Sequence, residues 1–163
     1  MNDMTPDDIR IRPFEAVDLQ VLQQITIDSF SGVALDEGLE QRFGRWTERT
    51  WQERKADHIA DDVAANPTGV FVAESEGIIL GYITTRVDHL NSRGRIPNLA
   101  VVDSARGLGL GRRLIQHALD YFRAEGLQLA QIETMASNPI GQHLYPSCGF
   151  EEVARQVHYA MRL

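Results

Sequence analysis

Apolar positions along the chain change period in a way that marks one element after another. Ile9-Arg10-Ile11-Arg12 alternates apolar with charged and reads as a first strand, ended by Pro13. Asp18 opens a helix whose apolar positions are Leu19, Leu22, Ile25, Ile27 and Phe30. Residues 33–62 form a polar, acidic helical region broken near Gly44, with Trp46 and Trp51 expected on the core beside Ile59 and Val63. After the turn Asn66-Pro67-Thr68-Gly69, the runs Val70–Glu74 and Ile78–Val87 flank Glu76-Gly77, a strong hairpin signal. Asn91-Ser92-Arg93-Gly94 is a second turn and leads into a strand over Ile96–Val102. Leu114, Ile115, Ala118, Leu119 and Phe122 then fall at helical spacing, and Gly126 ends that helix. Leu129–Thr134 is a fifth strand, and Ser137 or Asn138 caps a short helix that starts at Pro139. Phe150–Val153 and Val157–Met161 are expected to complete the sheet. Without repeats or linkers, this is one α/β domain over residues 8–163 behind a flexible tail, residues 1–7.

The candidate chemistry lies between the fourth strand and the long helix, in Arg106-Gly107-Leu108-Gly109-Leu110-Gly111-Arg112-Arg113. A helix start leaves backbone N–H groups unpaired at the positive end of the peptide dipoles. Glycines there let a large anion approach without meeting a Cβ, and the arginines add positive charge. The expected ligand is a phosphate or pyrophosphate. A dinucleotide fold would want G-x-G-x-x-G near the first strand, and a P-loop would want Lys-Ser or Lys-Thr after the glycines; neither is present. A turn whose glycines serve only close helix–strand packing stays open on the local run alone.

Leu99-Ala100-Val101 followed by Arg106-Gly107-Leu108-Gly109-Leu110-Gly111 resembles the acyl-CoA-binding signature of the GNAT superfamily of N-acetyltransferases. Asn138 and Leu144-Tyr145-Pro146-Ser147-Cys148-Gly149-Phe150 resemble that family's second signature, in the right order. The resemblance implies a mostly antiparallel central sheet of about seven strands, splayed between strands four and five, with helices on both faces. It implies acetyl-CoA as co-substrate, held along Leu99, Ala100, Val101 and Val102 and from Arg106 through Gly107, Leu108, Gly109, Leu110 and Gly111 to Arg112, with Asn138 and Tyr145 alongside. It implies Tyr145 as general acid and a backbone N–H of Leu99 or Ala100 as the oxyanion donor. The carboxylate that many relatives carry two residues before this Leu is absent, because Pro97 stands there. The general base is therefore open, with His89 or Asp88 acting through water as the candidates.

Composition narrows the partners. The net charge of −7 argues against nucleic acid and is compatible with an amine-bearing small molecule or peptide, as is the acidic segment from Asp36 to Asp62. No stretch of about 18 apolar residues suits a membrane, and the acidic N-terminus lacks a signal core, so the expected location is cytoplasmic. Cys148 is the only cysteine, and His58, His117, His143 and His158 lack ligand spacing, so no metal is expected. Lys55 is the only lysine. A homodimer is compatible with all of this. The expected function is direct acetyl transfer to an amine, with a catalytically silent acyl-CoA sensor and a nucleotide-binding module as alternatives.

Overall fold

A run of three helices and a run of five strands succeed one another in a computed structural model that describes residues 5–163. The order is β1 (Arg10–Pro13), α1 (Leu19–Phe30), α2 (Leu35–Phe43), α3 (Trp51–Ala65), β2 (Phe71–Ser75), β3 (Ile78–Ile83), β4 (Arg86–Asp88), β5 (Arg93–Ile96), β6 (Leu99–Val101), α4 (Leu110–Ala124), β7 (Leu129–Ile132) and α5 (Pro139–Ser147). One sheet runs β1-β2-β3-β6 and is antiparallel throughout. The other runs β4-β5-β7, with β4 antiparallel to β5 and β7 parallel to it.

Side-chain alternation on these strands builds a core on each face. Phe71 and Ala73 of β2 and Leu80 of β3 face α4, where they meet Leu110, Leu114, Ile115, Ala118 and Phe122. Val70, Val72, Tyr82 and Ala100 turn to the other face and meet Leu22 and Ile25 of α1 and Ile59 of α3. The buried Tyr82 hydroxyl shares a 2.5 Å hydrogen bond with Thr26, which satisfies both groups. At one end of the first sheet, Glu74 and Asp18 hold Arg12 between them at 2.6 and 2.8 Å, and Arg10 also binds Glu74. Asp18 thus stands at the start of α1 as expected, but its carboxylate takes Arg12 and the Glu15 N–H instead of capping that helix.

Several expectations change. The expected strand Ile78–Val87 divides at Thr84-Thr85, and Ile96–Val102 divides at Pro97-Asn98, because the chain changes sheets there. Arg93 and Gly94, expected in a turn, begin β5; a Cβ on Gly94 would lie 2.5 Å from the Phe122 ring. Trp51 is buried, whereas Trp46 is exposed with the Arg54 guanidinium 4.3 Å above its ring. The two strands expected over Phe150–Val153 and Val157–Met161 do not form. Residues 151–163 are fully exposed without regular structure, and Arg162 donates to the Phe43 carbonyl at 2.8 Å. Their alternating pattern is that of a strand, but β7 offers its outer edge and they do not take it. Of the expected tail, residues 1–4 lie outside the described residues, while Pro6–Asp8 form a short 3-10 turn whose Pro6 carbonyl accepts from Arg113 at 2.7 Å.

Candidate active site

Pairing between β3 and β6 ends at Ile83 opposite Leu99, and pairing between β4 and β5 resumes at Arg86 opposite Arg95. Two residues, Thr84 and Thr85, therefore face three, Ile96, Pro97 and Asn98, which is the count of a bulge. Beyond it the sheet opens. The parallel pairing of β5 with β7 stops at Ile96 opposite Ile132, and β6 leaves β7 to lie on β3 alone.

The register decides which β6 groups face the opening. Val102 N donates to the Leu80 carbonyl at 2.9 Å, and the Asn98 carbonyl accepts from Thr84 N at 2.9 Å. In an antiparallel ladder, hydrogen-bonded residues alternate with residues whose polar groups point the other way. Ala100 is thus committed to Tyr82, and the N–H and C=O groups of Leu99 and Val101 lie along the open edge. Of the two N–H groups considered from the sequence, that of Leu99 lies on the open edge and that of Ala100 does not.

The glycine-rich turn follows directly. Ala105 and Arg106 donate back to Val102 and Asp103, closing a 3-10 turn, and Gly107 and Gly109 then adopt φ of +81° and +71°. These left-handed values explain glycine at both positions, and the space where each Cβ would stand is open. The first bond of the α4 ladder is from Arg113 N to the Gly109 carbonyl at 3.1 Å, so the N–H groups from Gly107 to Arg112 meet no protein acceptor among the described residues. Arg106 is exposed and pairs with Asp103 at 2.9 Å. The other two arginine side chains are structural: Arg112 holds Ser147 at 2.6 and 2.8 Å, and Arg113 holds the Pro6 and Ile9 carbonyls.

Opposite β6, α5 forms the second wall. A Cβ on Gly141 would meet Thr134 at 2.6 Å, and one on Gly111 would meet Leu144 at 3.1 Å, so α5 bridges the chain after β7 and the first turn of α4. Asn138 caps α5 by accepting from Gly141 N at 3.4 Å and donates to Thr134 at 3.0 Å. Tyr145 packs edge-on against Phe150, and burial, with Cys148 nearby, pushes its phenol up to about 12. Its hydroxyl has no hydrogen-bond partner among the described residues.

His89 does not join this group. It sits in the turn before β5, 3.4 Å from Glu125 past the far end of α4, a helix of 15 residues and hence about 22 Å long. Asp88 is taken up by the Asn91 N–H and side chain of the same turn. The acidic segment is also less free than its composition suggests. Asp36 and Glu40 share Arg54 at 3.2 Å, Asp57 pairs with Arg49, and Asp62 is buried against Arg86 at 2.8 Å.

A polar cluster beside the bulge carries no motif in the sequence. Asp62 accepts from Thr84 Oγ1 at 2.8 Å and from Asn98 Nδ2 at 2.7 Å, and Lys55 Nζ donates to Asn98 Oδ1 at 2.9 Å. Lys55, Ile59 and Asp62 fall on one face of α3, a spacing the sequence carries. In an acidic stretch that face reads as solvated.

An open strand edge thus runs into a helix N-terminus lined with unpaired N–H groups. Residues 35–150 match the acetyltransferase (GNAT) family, and the chain belongs to it. It is 34% identical over 154 residues to a mycothiol acetyltransferase of Thermomonospora curvata, covering 94% of this chain and 48% of that protein. It is 31% identical to one of Rhodococcus jostii, covering 96% and 50%. The chain spans about half the length of these curated relatives. The fold is that of the ribosomal-protein-S18-alanine N-acetyltransferase of Escherichia coli, with a TM-score of 0.67, 22% identity and coverage of 90% and 79%. It is also that of the PaiA N-acetyltransferase of Thermoplasma acidophilum in complex with coenzyme A, with a TM-score of 0.70, 16% identity and coverage of 88% and 89%.

Proposed function

We propose that this chain moves an acetyl group from acetyl-CoA directly to an amine of a small molecule or peptide. The observation that carries the reading is the free edge of β6, whose Leu99 and Val101 polar groups lie immediately before the unpaired N–H groups from Gly107 to Arg112. An extended amide-bearing arm satisfies the edge as an added strand would, and the pyrophosphate at its end satisfies the helix start. Leu99 N–H is then the donor toward the thioester oxygen. The membership in the acetyltransferase family supports the same assignment.

Tyr145 supplies the proton donor for the departing sulfur. A phenol at about 12 keeps its proton at every working pH. Full transfer to a thiolate with an ordinary pKa of about 8.5 runs uphill by roughly 5 kcal/mol. That fits within the barrier of about 16 kcal/mol that corresponds to some 10 turnovers per second. The test is release of free thiol from acetyl-CoA with a panel of amines, for the wild type and for Tyr145→Phe. The variant keeps the ring and its contact with Phe150, so kcat should fall about 10²–10⁴-fold while acetyl-CoA affinity changes little. A sensor domain would bind acetyl-CoA and release no thiol with any amine. A structural tyrosine would lower the melting temperature and leave kcat unchanged.

A further inference from the structure

We infer that Lys55 is the base of the site: its amine takes the proton from the acceptor's ammonium group beside the bulge at Asn98. This rests on the transferase reading above and supplies the group that Pro97 cannot.

The placement comes first. Lys55 Nζ lies 2.9 Å from the side chain of Asn98, the residue directly before Leu99, and 4.2 Å from the centre of the Phe30 ring. Ala100 packs on the face toward α1 and α3, and Asn98, just before β6, meets Lys55 and Asp62 of α3 on the same side. Asn98 is fixed at its other end by Asp62, so the amide holds Lys55 beside the bulge, one residue from Leu99.

The charge environment comes second. The groups facing the amine are the Phe30 ring from α1, Asp36 from α2, Asp62 from α3 and the Asn98 amide. Both carboxylates and the Phe30 ring face favour the ammonium, but Arg54 already holds Asp36 and Arg86 already holds Asp62. The direct partner of Lys55 is a neutral amide oxygen. Burial therefore outweighs the two carboxylates and lowers the lysine from its ordinary value. An amine whose direct partner is an amide oxygen and not a carboxylate is suited, in its deprotonated form, to take a proton from a second amine.

The step balances without a further reactant. The acceptor ammonium gives one proton to Lys55, which becomes an ammonium, and the freed amine forms the new C–N bond to the acetyl carbon. The C–S bond breaks, and the sulfur takes a proton from Tyr145. The second proton on nitrogen leaves to water, and water restores Tyr145 and Lys55.

Lys55→Arg keeps the positive charge and the donor but cannot act as a base at working pH. Lys55→Met keeps the apolar stem alone. With a primary alkylamine acceptor, both variants should lose at least 100-fold in kcat/KM and bind acetyl-CoA within threefold of wild type by calorimetry. The low-pH limb of the wild-type profile should change shape in both. An alkoxyamine, already neutral at the assay pH, needs no base before attack, so with it the loss should shrink below tenfold. Retention of the alkylamine rate by Lys55→Arg overturns the inference, as does an equal loss with both kinds of amine. Loss of acetyl-CoA binding in both variants overturns it too, since Lys55 would then be a support for the bulge. An inactive wild type that still binds acetyl-CoA overturns the transferase reading itself, a result no Lys55 variant can mimic.

Discussion

Gly109→Asp isolates the anion site from the helix that carries it. Gly109 is the N-cap of α4 at φ +71°, and nothing lies within 4 Å of the position a Cβ would take. The cost of any side chain there is therefore backbone strain alone, about 1–2 kcal/mol. Aspartate recovers part of it, because it tolerates the left-handed region and is a favoured N-cap residue. Gly109→Ala meets the same strain without charge or cap, so the aspartate variant should melt no lower than the alanine one. Binding should separate them in the opposite direction. A carboxylate about 5 Å from a phosphate charge, at an effective dielectric constant near 20, is repelled by about 3 kcal/mol. That corresponds to a Kd more than 100-fold weaker. Gly109→Ala should shift Kd only a few-fold. Calorimetry with acetyl-CoA at low salt measures both, and added salt should narrow the difference as the repulsion is screened. Equal affinity in the two variants would refute the placement of the pyrophosphate on this turn.

Two further outcomes follow from contacts elsewhere in the fold. Gly81→Ala puts a Cβ 2.7 Å from the Ala100 carbonyl, a backbone atom, so β6 must move away from β3. The overpacking should cost about 1–3 kcal/mol and lower Tm by some 3–10 °C, with weaker acetyl-CoA binding; an unchanged melting curve would show that the pair of strands has slack. Asp18 and Glu74 are both held below the ordinary carboxylate range, first of all by their hydrogen bonds to Arg12 and Arg10 respectively. Their contribution is present above the unfolded carboxylate values near pH 4 and is lost as pH falls through the lower folded values. Tm should therefore drop steeply below about pH 4 in the wild type and less steeply in Arg12→Met; parallel curves would remove this pair as the cause.

The sequence by itself determined the elements with a strong local cause. The stripe from Leu114 to Phe122 buries as one face of α4, and Glu76-Gly77 turns the hairpin with both residues at positive φ. Asn138 before Pro139 starts α5, and Gly107 and Gly109 shape the turn before α4. Each needs only its neighbours in the chain, because period, φ and first-turn hydrogen bonding are local properties. Only the tertiary structure decided the rest. The alternation over Val157–Met161 has the period of a strand, but a strand forms only where it pairs, and in this structure that segment leaves the outer edge of β7 unpaired. His89 and Asp88 lie close to the fourth strand in sequence, yet the chain turns them to the end away from the α4 N-terminus. The bulge arises from counting two residues against three across paired strands, and no single strand contains that count. Lys55, Asp62 and Asn98 come from a helix and the bulge before β6, some 36–43 positions apart, as the separations of their hydrogen bonds show. In the sequence they are one base among many, one acid in an acidic run and one amide after a proline. Burial against a splayed sheet makes the same three groups dependent on one another, because each removes the other's polar atoms from the need for water.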